Sequence, residues 1–161
     1  MKRFFIPLLL FFFAAGLFAQ NLTPLEKQII SAGPEEMLNL VMDRNKESEL
    51  NLLYNHIEEM TLEEIILAYS VPFPEITEEE CMFIILKVAL VAALGSGDKL
   101  GVSTGLDILE FCDEIDSMTD TAYLPEELKA LTESSYWKDC IAFYHLFDPE
   151  SFLKERFPGY F

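Results

Sequence analysis

Basic residues are scarce in this sequence. Eleven lysines and arginines stand against 28 aspartates and glutamates, so the formal net charge is −17 over 161 residues. Phosphate groups repel such a chain, which argues against binding to DNA, RNA or an anionic membrane surface through bulk charge. Apolar residues make up 51% of the chain, too many for an acidic disordered protein. The length predicts one domain.

Glycine is also sparse, and it is unevenly placed. Four of the seven glycines crowd into residues 95–105, a distribution that favours helices over a β-sandwich with many turns. We interpret residues 95–105 as a glycine-rich loop. No Walker sequence G-x-x-x-x-G-K-[S/T] occurs there, and the loop follows a helix whose carboxyl end repels anions. The segment therefore predicts a connector and not a phosphate site.

Cysteine and histidine are too few for the common catalytic and metal-binding motifs. The three cysteines, Cys81, Cys112 and Cys140, cannot all pair within one chain. One structural disulfide among them is open, and so is the alternative that each is a buried helix residue. The two histidines, His56 and His145, lie in no H-E-x-x-H pattern, and no G-x-S-x-G occurs. We therefore predict no metal and no cofactor.

The acidic run Asp113–Asp120 invites a calcium interpretation that its details do not support. An EF-hand loop beginning at Asp116 would place Met118 at a ligand position and would lack the central glycine. Carboxylate pairs are plentiful elsewhere, but nothing in the sequence selects two of them for hydrolysis. The run is typical of a solvated charged surface.

The first residues have the pattern of a secretory signal. Lys2 and Arg3 precede a 16-residue apolar run, Phe4–Ala19, and we predict cleavage before Gln20. An uncleaved anchor is the alternative, although the run is shorter than the about 20 residues that a spanning helix needs. The first cysteine after the run is Cys81, so the chain is not predicted to be a lipoprotein.

Removal of residues 1–19 sharpens the charge imbalance. The predicted signal holds two of the basic residues and none of the acidic ones, so residues 20–161 form a 142-residue domain with a formal charge of −19. A domain of this size buries about two thirds of the surface of its unfolded chain.

Helix starts and stops recur along residues 20–161. Capping boxes are predicted at Thr23/Glu26, Thr61/Glu64 and Thr77/Glu80. The segment V-P-F-P-E-I interrupts the helical pattern, because proline is excluded from helix interiors, and residues 71–76 are a candidate hinge. Further helices are predicted from Pro34, from about Lys46 to Met60, from Ser103 or Thr104 to about Met118, from Pro125, from about Ser135 to Phe147, and from Asp148 to near Phe157.

The run Cys81–Leu94 is apolar nearly all round, so we predict that it forms the central buried helix. Gly95 ends it. The predicted fold is all-α, a single compact domain of about seven to nine helices, arranged as an irregular bundle or as an array of helical hairpins. No convincing strand or repeat is present.

Three residues are candidates for contact with a ligand or partner. Lys87 is the only charge in the apolar helix; we interpret it as an edge lysine that snorkels outward, with a buried amine paired with a carboxylate as the alternative. Trp137 and Tyr144 belong to an aromatic segment near the carboxyl end. Helical spacing places most of these aromatic residues in the core, and the rest suit a partner groove or a pocket wall.

The leading functional hypothesis is a non-enzymatic protein-interaction module, exported by a Sec-type signal to the periplasm or the extracellular space. Its partner would be another extracytoplasmic protein with a basic patch, because opposite charge accelerates encounter. The alternative is a helical carrier that encloses a small apolar or cationic ligand. A hydrolase with carboxylate or cysteine chemistry is the lesser alternative.

Overall fold

Helices account for nearly all of the chain that a computed structural model describes, namely residues 22–119, 125, 126, 129 and 132–159. Eight α-helices are present in these residues: α1 Pro24–Ser31, α2 Pro34–Met42, α3 Glu47–Glu59, α4 Leu62–Ser70, α5 Glu78–Gly95, α6 Lys99–Thr119, α7 Ser135–Leu146 and α8 Pro149–Arg156. A 3₁₀ turn, Arg44–Lys46, precedes α3, and no β-strand occurs among the described residues. The all-α prediction is confirmed.

Local capping explains why several helices begin where they do. At Thr23 and Thr61 the hydroxyl accepts the N–H of the residue three positions on, and that glutamate reaches back, so both capping boxes are confirmed. At Thr77 the hydroxyl accepts the N–H of Glu80 at 3.1 Å. These bonds satisfy amide groups that have no partner within the helix.

Helix α5 lies at the centre of the fold. It packs against α1, α2, α3, α4, α6 and α7, and its residues from Leu90 to Gly95 are all buried. A helix that is apolar all round needs neighbours on every side, and the surrounding helices supply them. The structure is therefore an irregular bundle around one helix, and the prediction of a central buried helix is confirmed.

The prediction of a glycine-rich loop over residues 95–105 is wrong. Helix α5 runs to Gly95 and α6 begins at Lys99, so the predicted cap at Ser103 or Thr104 is wrong as well. Instead, Asp98 Oδ2 accepts the N–H of Gly101 at 3.2 Å.

Gly101 and Gly105 lie inside α6, on the side that approaches the end of α5 closely. A Cβ on Gly101 would meet the Ser96 hydroxyl, and one on Gly105 would lie 2.6 Å from Leu94 Cδ2. The sequence predicts a connector at these glycines, whereas in the structure they leave space for a neighbouring helix.

The carboxyl end of the described chain is tied to the amino-terminal half. The Arg156 side chain is only 3% exposed, and it donates to Glu47 Oε2 at 2.5 Å and to Val41 O at 2.6 Å. Arg44 donates to Glu155 O at 3.0 Å. Helix α8 is thereby fixed against the junction of α2 and α3.

Other predicted segments have a simpler outcome. Residues 71–76 form turns between α4 and α5, and their action as a hinge stays a prediction. The predicted signal, residues 1–19, lies outside the described residues, as does most of the segment that follows Pro125. Within residues 22–119, 125, 126, 129 and 132–159, none of the helices combines the length and the apolar character needed to span a bilayer.

Candidate functional site

Lys87 lies in the core and not at its edge. Its side chain is 0% exposed, and its Nζ donates to Ile30 O at 3.0 Å, to Ala32 O at 2.6 Å and to Asp139 Oδ2 at 2.9 Å. The snorkelling interpretation is wrong, and the alternative of a buried amine paired with a carboxylate describes what is observed. Sequence could not identify Asp139 as the partner, because it lies 52 residues away.

The acceptors of Lys87 explain why a charge is tolerated there. An ammonium group has three N–H donors, and three acceptors surround this one. Ile30 and Ala32 lie at the carboxyl end of α1, where carbonyl groups have no partner within the helix and where a cation is favoured. Lys87 thus links α1, α5 and α7, and each of its three N–H donors has an acceptor within the protein.

The three cysteines are buried thiols, and none is joined to another. Burial raises the pKa of the Cys112 thiol to about 12, with a further contribution from Asp116. Burial also raises the pKa of Cys81, and Glu78 adds to the effect. Burial likewise raises the pKa of Cys140, although the Lys87 charge acts in the opposite direction. Protonated, enclosed thiols are poor nucleophiles.

Trp137 is buried in an aromatic cluster on α7. Its ring lies between Phe83, at 5.3 Å between centroids, and Phe111, at 6.3 Å. Trp137 is 3% exposed, whereas Phe111 is 46% exposed. The indole therefore joins α5, α6 and α7, and only the rim of this cluster reaches the surface.

Tyr144 lines an open groove between α6, α7 and the start of α8, which we call the Tyr144 groove. Its volume is about 440 Å³. Its apolar walls are Leu106, Leu109, Phe147 and Pro149. Its polar lining is Glu110, Asp113, Tyr144 and His145. The groove thus joins an apolar floor to carboxylates.

Two side-chain pairs link α7 to α6 at this groove. Tyr144 donates its hydroxyl hydrogen to Asp113 Oδ1 at 2.8 Å, and His145 Nε2 lies 3.2 Å from Asp116 Oδ2. The hydrogen bond to the Asp113 carboxylate raises the pKa of Tyr144, because the phenolate would lose that bond and face a negative charge.

Neither of these pairs is predicted by the sequence pattern, in which residues 113–120 are typical of a solvated charged surface. The only available signal was the spacing of Asp113 and Asp116, which places them about one turn apart on the same side of α6. Nothing in that spacing indicates which residues of α7 they meet.

A second groove lies on the other side of His145, with a volume of about 410 Å³. Among the described residues it is lined by Asp116, Thr132, Trp137, Lys138, Ile141, Ala142 and His145. It contains both a lysine and an aspartate, so it lacks the one-sided charge of the Tyr144 groove. The structure thus places Trp137 and Tyr144 in adjoining grooves, and Lys87 lines neither of them.

In the part of the chain that the structure describes, no three His, Cys, Asp or Glu side chains gather in a way that could hold a metal ion. Comparison with known protein families, with curated proteins and with solved structures finds no match to this chain.

Proposed function

We propose that this chain is exported and acts outside the cytoplasm as a protein-interaction module, with the Tyr144 groove as its docking site. The observation that supports this proposal is the lining of the groove. This lining presents apolar and acidic side chains together on the surface of a helical domain whose central helix is surrounded by six others.

The lining of the groove suits a protein partner better than a small molecule. Protein interfaces combine a desolvated apolar centre with a polar rim, and tyrosine is enriched among the residues that contribute most to binding. Leu106 and Pro149 supply accessible apolar surface, while Glu110 and Asp113 are exposed at the rim. The groove is open to solvent, as the docking of a segment requires.

Export is supported by the sequence pattern of residues 1–19 alone, namely two basic residues followed by 16 apolar ones. The carrier alternative gains no comparable support. Neither of the two grooves is lined by a residue of the central helix α5. The hydrolase alternative has no nucleophile with a lowered pKa among the cysteines.

The test uses the full chain, with its own leader, in the organism that makes it. A photoreactive benzoylphenylalanine replaces Glu110 at the groove, and in the control it replaces Leu52, which is 70% exposed on α3. We expect one defined adduct from position 110 in the extracytoplasmic fraction. An excess of the unlabelled chain should abolish it by competition.

The outcomes of this experiment are distinct. Position 52 is expected to give no adduct of the same mass, and the recovered chain is expected to begin at Gln20. Equal labelling from both positions, or no adduct from position 110, contradicts docking at the groove. A chain that retains residues 1–19 inside the cell contradicts export.

A further inference from the structure

We infer that the Tyr144 groove receives a basic segment of its partner, in which an arginine or lysine is flanked by an apolar side chain. This inference rests on the proposed function and specifies the chemistry of the partner. It follows from the charges, the apolar walls and the tyrosine of the groove.

The carboxylates of the groove are available to a cation. Glu110 and Asp113 lie three residues apart on α6, and both line the groove. Asp113 uses Oδ1 to accept the Tyr144 hydroxyl, which leaves Oδ2 free of that bond. Glu110 makes no hydrogen bond or ion pair with another residue of the described chain. A guanidinium or ammonium group would supply the missing donors.

The cation would not bind alone, because the same groove has an apolar floor. The accessible apolar lining comes from Leu106, which is partly exposed, and Pro149, which is exposed, beside the buried Leu109 and Phe147. The volume of about 440 Å³ lies within the range of about 300–1,000 Å³ found for ligand sites. An apolar side chain beside the basic one would bury itself there.

Tyr144 connects these two halves of the groove. Its hydroxyl is held by Asp113, which restrains the ring, and a restrained ring loses little conformational entropy on binding. A cation beside a tyrosine face gains an additional attraction. An arginine that pairs with Asp113 would therefore lie next to the aromatic ring.

The net charge of the whole chain favours a basic segment over other occupants of the groove. An acidic segment or a second copy of this chain would bring carboxylates toward carboxylates, against a formal net charge of −17. A basic segment would instead be attracted before contact, and salt would weaken that attraction.

The test uses three synthetic peptides of equal length and the folded chain from residue 20 onward as it is recovered after export. The first peptide alternates arginine with leucine. The second replaces each arginine by citrulline, which keeps the shape and removes the charge. The third replaces each leucine by serine. Calorimetry measures the dissociation constant, and backbone NMR shifts locate the bound peptide.

We expect the arginine–leucine peptide to shift the resonances of Leu109, Tyr144 and Phe147. The citrulline and serine peptides should each bind at least about tenfold more weakly, because several charges or apolar groups are lost. Glu110→Gln and Asp113→Asn should each weaken binding about two- to fivefold, as expected for exposed ion pairs.

Glu114→Gln is the matched control, because Glu114 is exposed on the same helix and lines neither groove. It should leave the dissociation constant within about twofold. Equal weakening by Glu114→Gln and Glu110→Gln, or shifts confined to other helices, overturns the inference. If the adduct from position 110 forms while none of the peptides binds the groove, the docking function stands and the basic partner does not.

Discussion

At the scale of single residues, Lys87 shows how a charge can be accommodated in an apolar helix. Burying an ammonium group lowers the stability of the fold unless its N–H donors have acceptors and its charge has a nearby counter-charge. Here two carbonyls from the end of α1 and the Asp139 carboxylate match them. Asp139 remains 30% exposed, so its charge keeps part of its hydration.

Replacing this lysine should therefore destabilise the protein. Lys87→Met keeps the apolar stem but leaves the Ile30 and Ala32 carbonyls without their donor, and we expect the free energy of unfolding to fall by about 3–5 kcal/mol. Urea denaturation measures it. Lys138→Met is the control, since Lys138 is exposed on α7, and it should change stability by no more than about 0.5 kcal/mol. Unchanged stability in Lys87→Met would show that these three bonds contribute little.

The buried Cys112 thiol predicts how stability depends on alkaline pH. Its pKa rises from an ordinary 9.0 to about 12 in the folded chain. Above pH 9.0 the unfolded chain releases the thiol proton while the folded chain retains it, so the free energy of unfolding falls as the pH rises. For one thiol the limiting slope is about 1.4 kcal/mol per pH unit.

Denaturation in reducing buffer at several pH values from about 8 to 11 measures this slope. Cys112→Ser removes one titrating group, so its slope should be shallower even if its absolute stability is lower. Identical slopes for the two chains would contradict a raised Cys112 pKa. The buried Tyr69 hydroxyl, which donates to Glu26 Oε2 at 2.6 Å, adds to the fall at higher pH because burial raises its pKa as well.

At the scale of helices, the α5–α6 hairpin depends on small residues at the contact. Gly101 and Gly105 lie one turn apart on α6 and face Ser96 and Leu94, respectively. Absence of a side chain lets the two helices approach closely, so that these glycines contribute to packing at the expense of intrinsic helix propensity.

Adding one methyl group at this contact tests that account. In an open helix Gly→Ala stabilises by about 1 kcal/mol. In Gly105→Ala the new Cβ would lie 2.6 Å from Leu94 Cδ2 and 3.1 Å from Leu94 N, so we expect a net loss of about 1–3 kcal/mol from overpacking. Thermal denaturation measures the effect. Gly159→Ala, where nothing lies within 4 Å, should be nearly neutral, and a stabilised Gly105→Ala chain would contradict close packing.

Helix boundaries set by local chemistry could be predicted from the sequence, and boundaries set by packing could not. Thr23, Thr61 and Asp148 cap their own helices, so a few neighbouring letters suffice. The start of α6 also has a local signal, since Asp98 accepts the N–H of Gly101, but the sequence alone does not show that Gly101 and Gly105 pack against the end of α5 inside a helix.

The candidate site could likewise be predicted only in part from the sequence. The aromatic character of α7 and the acidic character of α6 are visible in the sequence. The pairing of Tyr144 with Asp113, 31 residues apart, follows only from the crossing of the two helices. Lys87 was recognised as unusual because it interrupts an apolar run, but its acceptors come from α1 and α7, so the sequence could not choose between edge and interior.

At the scale of the whole molecule, α5 unites the fold because six other helices pack against it. Both ends of the described chain are also tied inward, since α1 bonds to Lys87 and α8 bonds through Arg156 to α2 and α3. The negative charge of the chain is therefore carried by one helical domain built around α5.

On the proposed export route, Lys87 also acts before the chain folds, because the polypeptide then passes through the translocation channel unfolded. Cys81–Leu94 is shorter than the about 20 residues of a spanning helix, but its apolar character favours partition from the channel toward lipid. A lysine at the middle of such a segment costs about 3 kcal/mol on insertion. In the complete precursor, Lys87→Leu should divert part of the chain into the membrane fraction, whereas Lys87→Arg should still cross; equal passage of both variants, measured by fractionation, would remove this role. The same ammonium would thus keep the segment in transit until the folded core can enclose it.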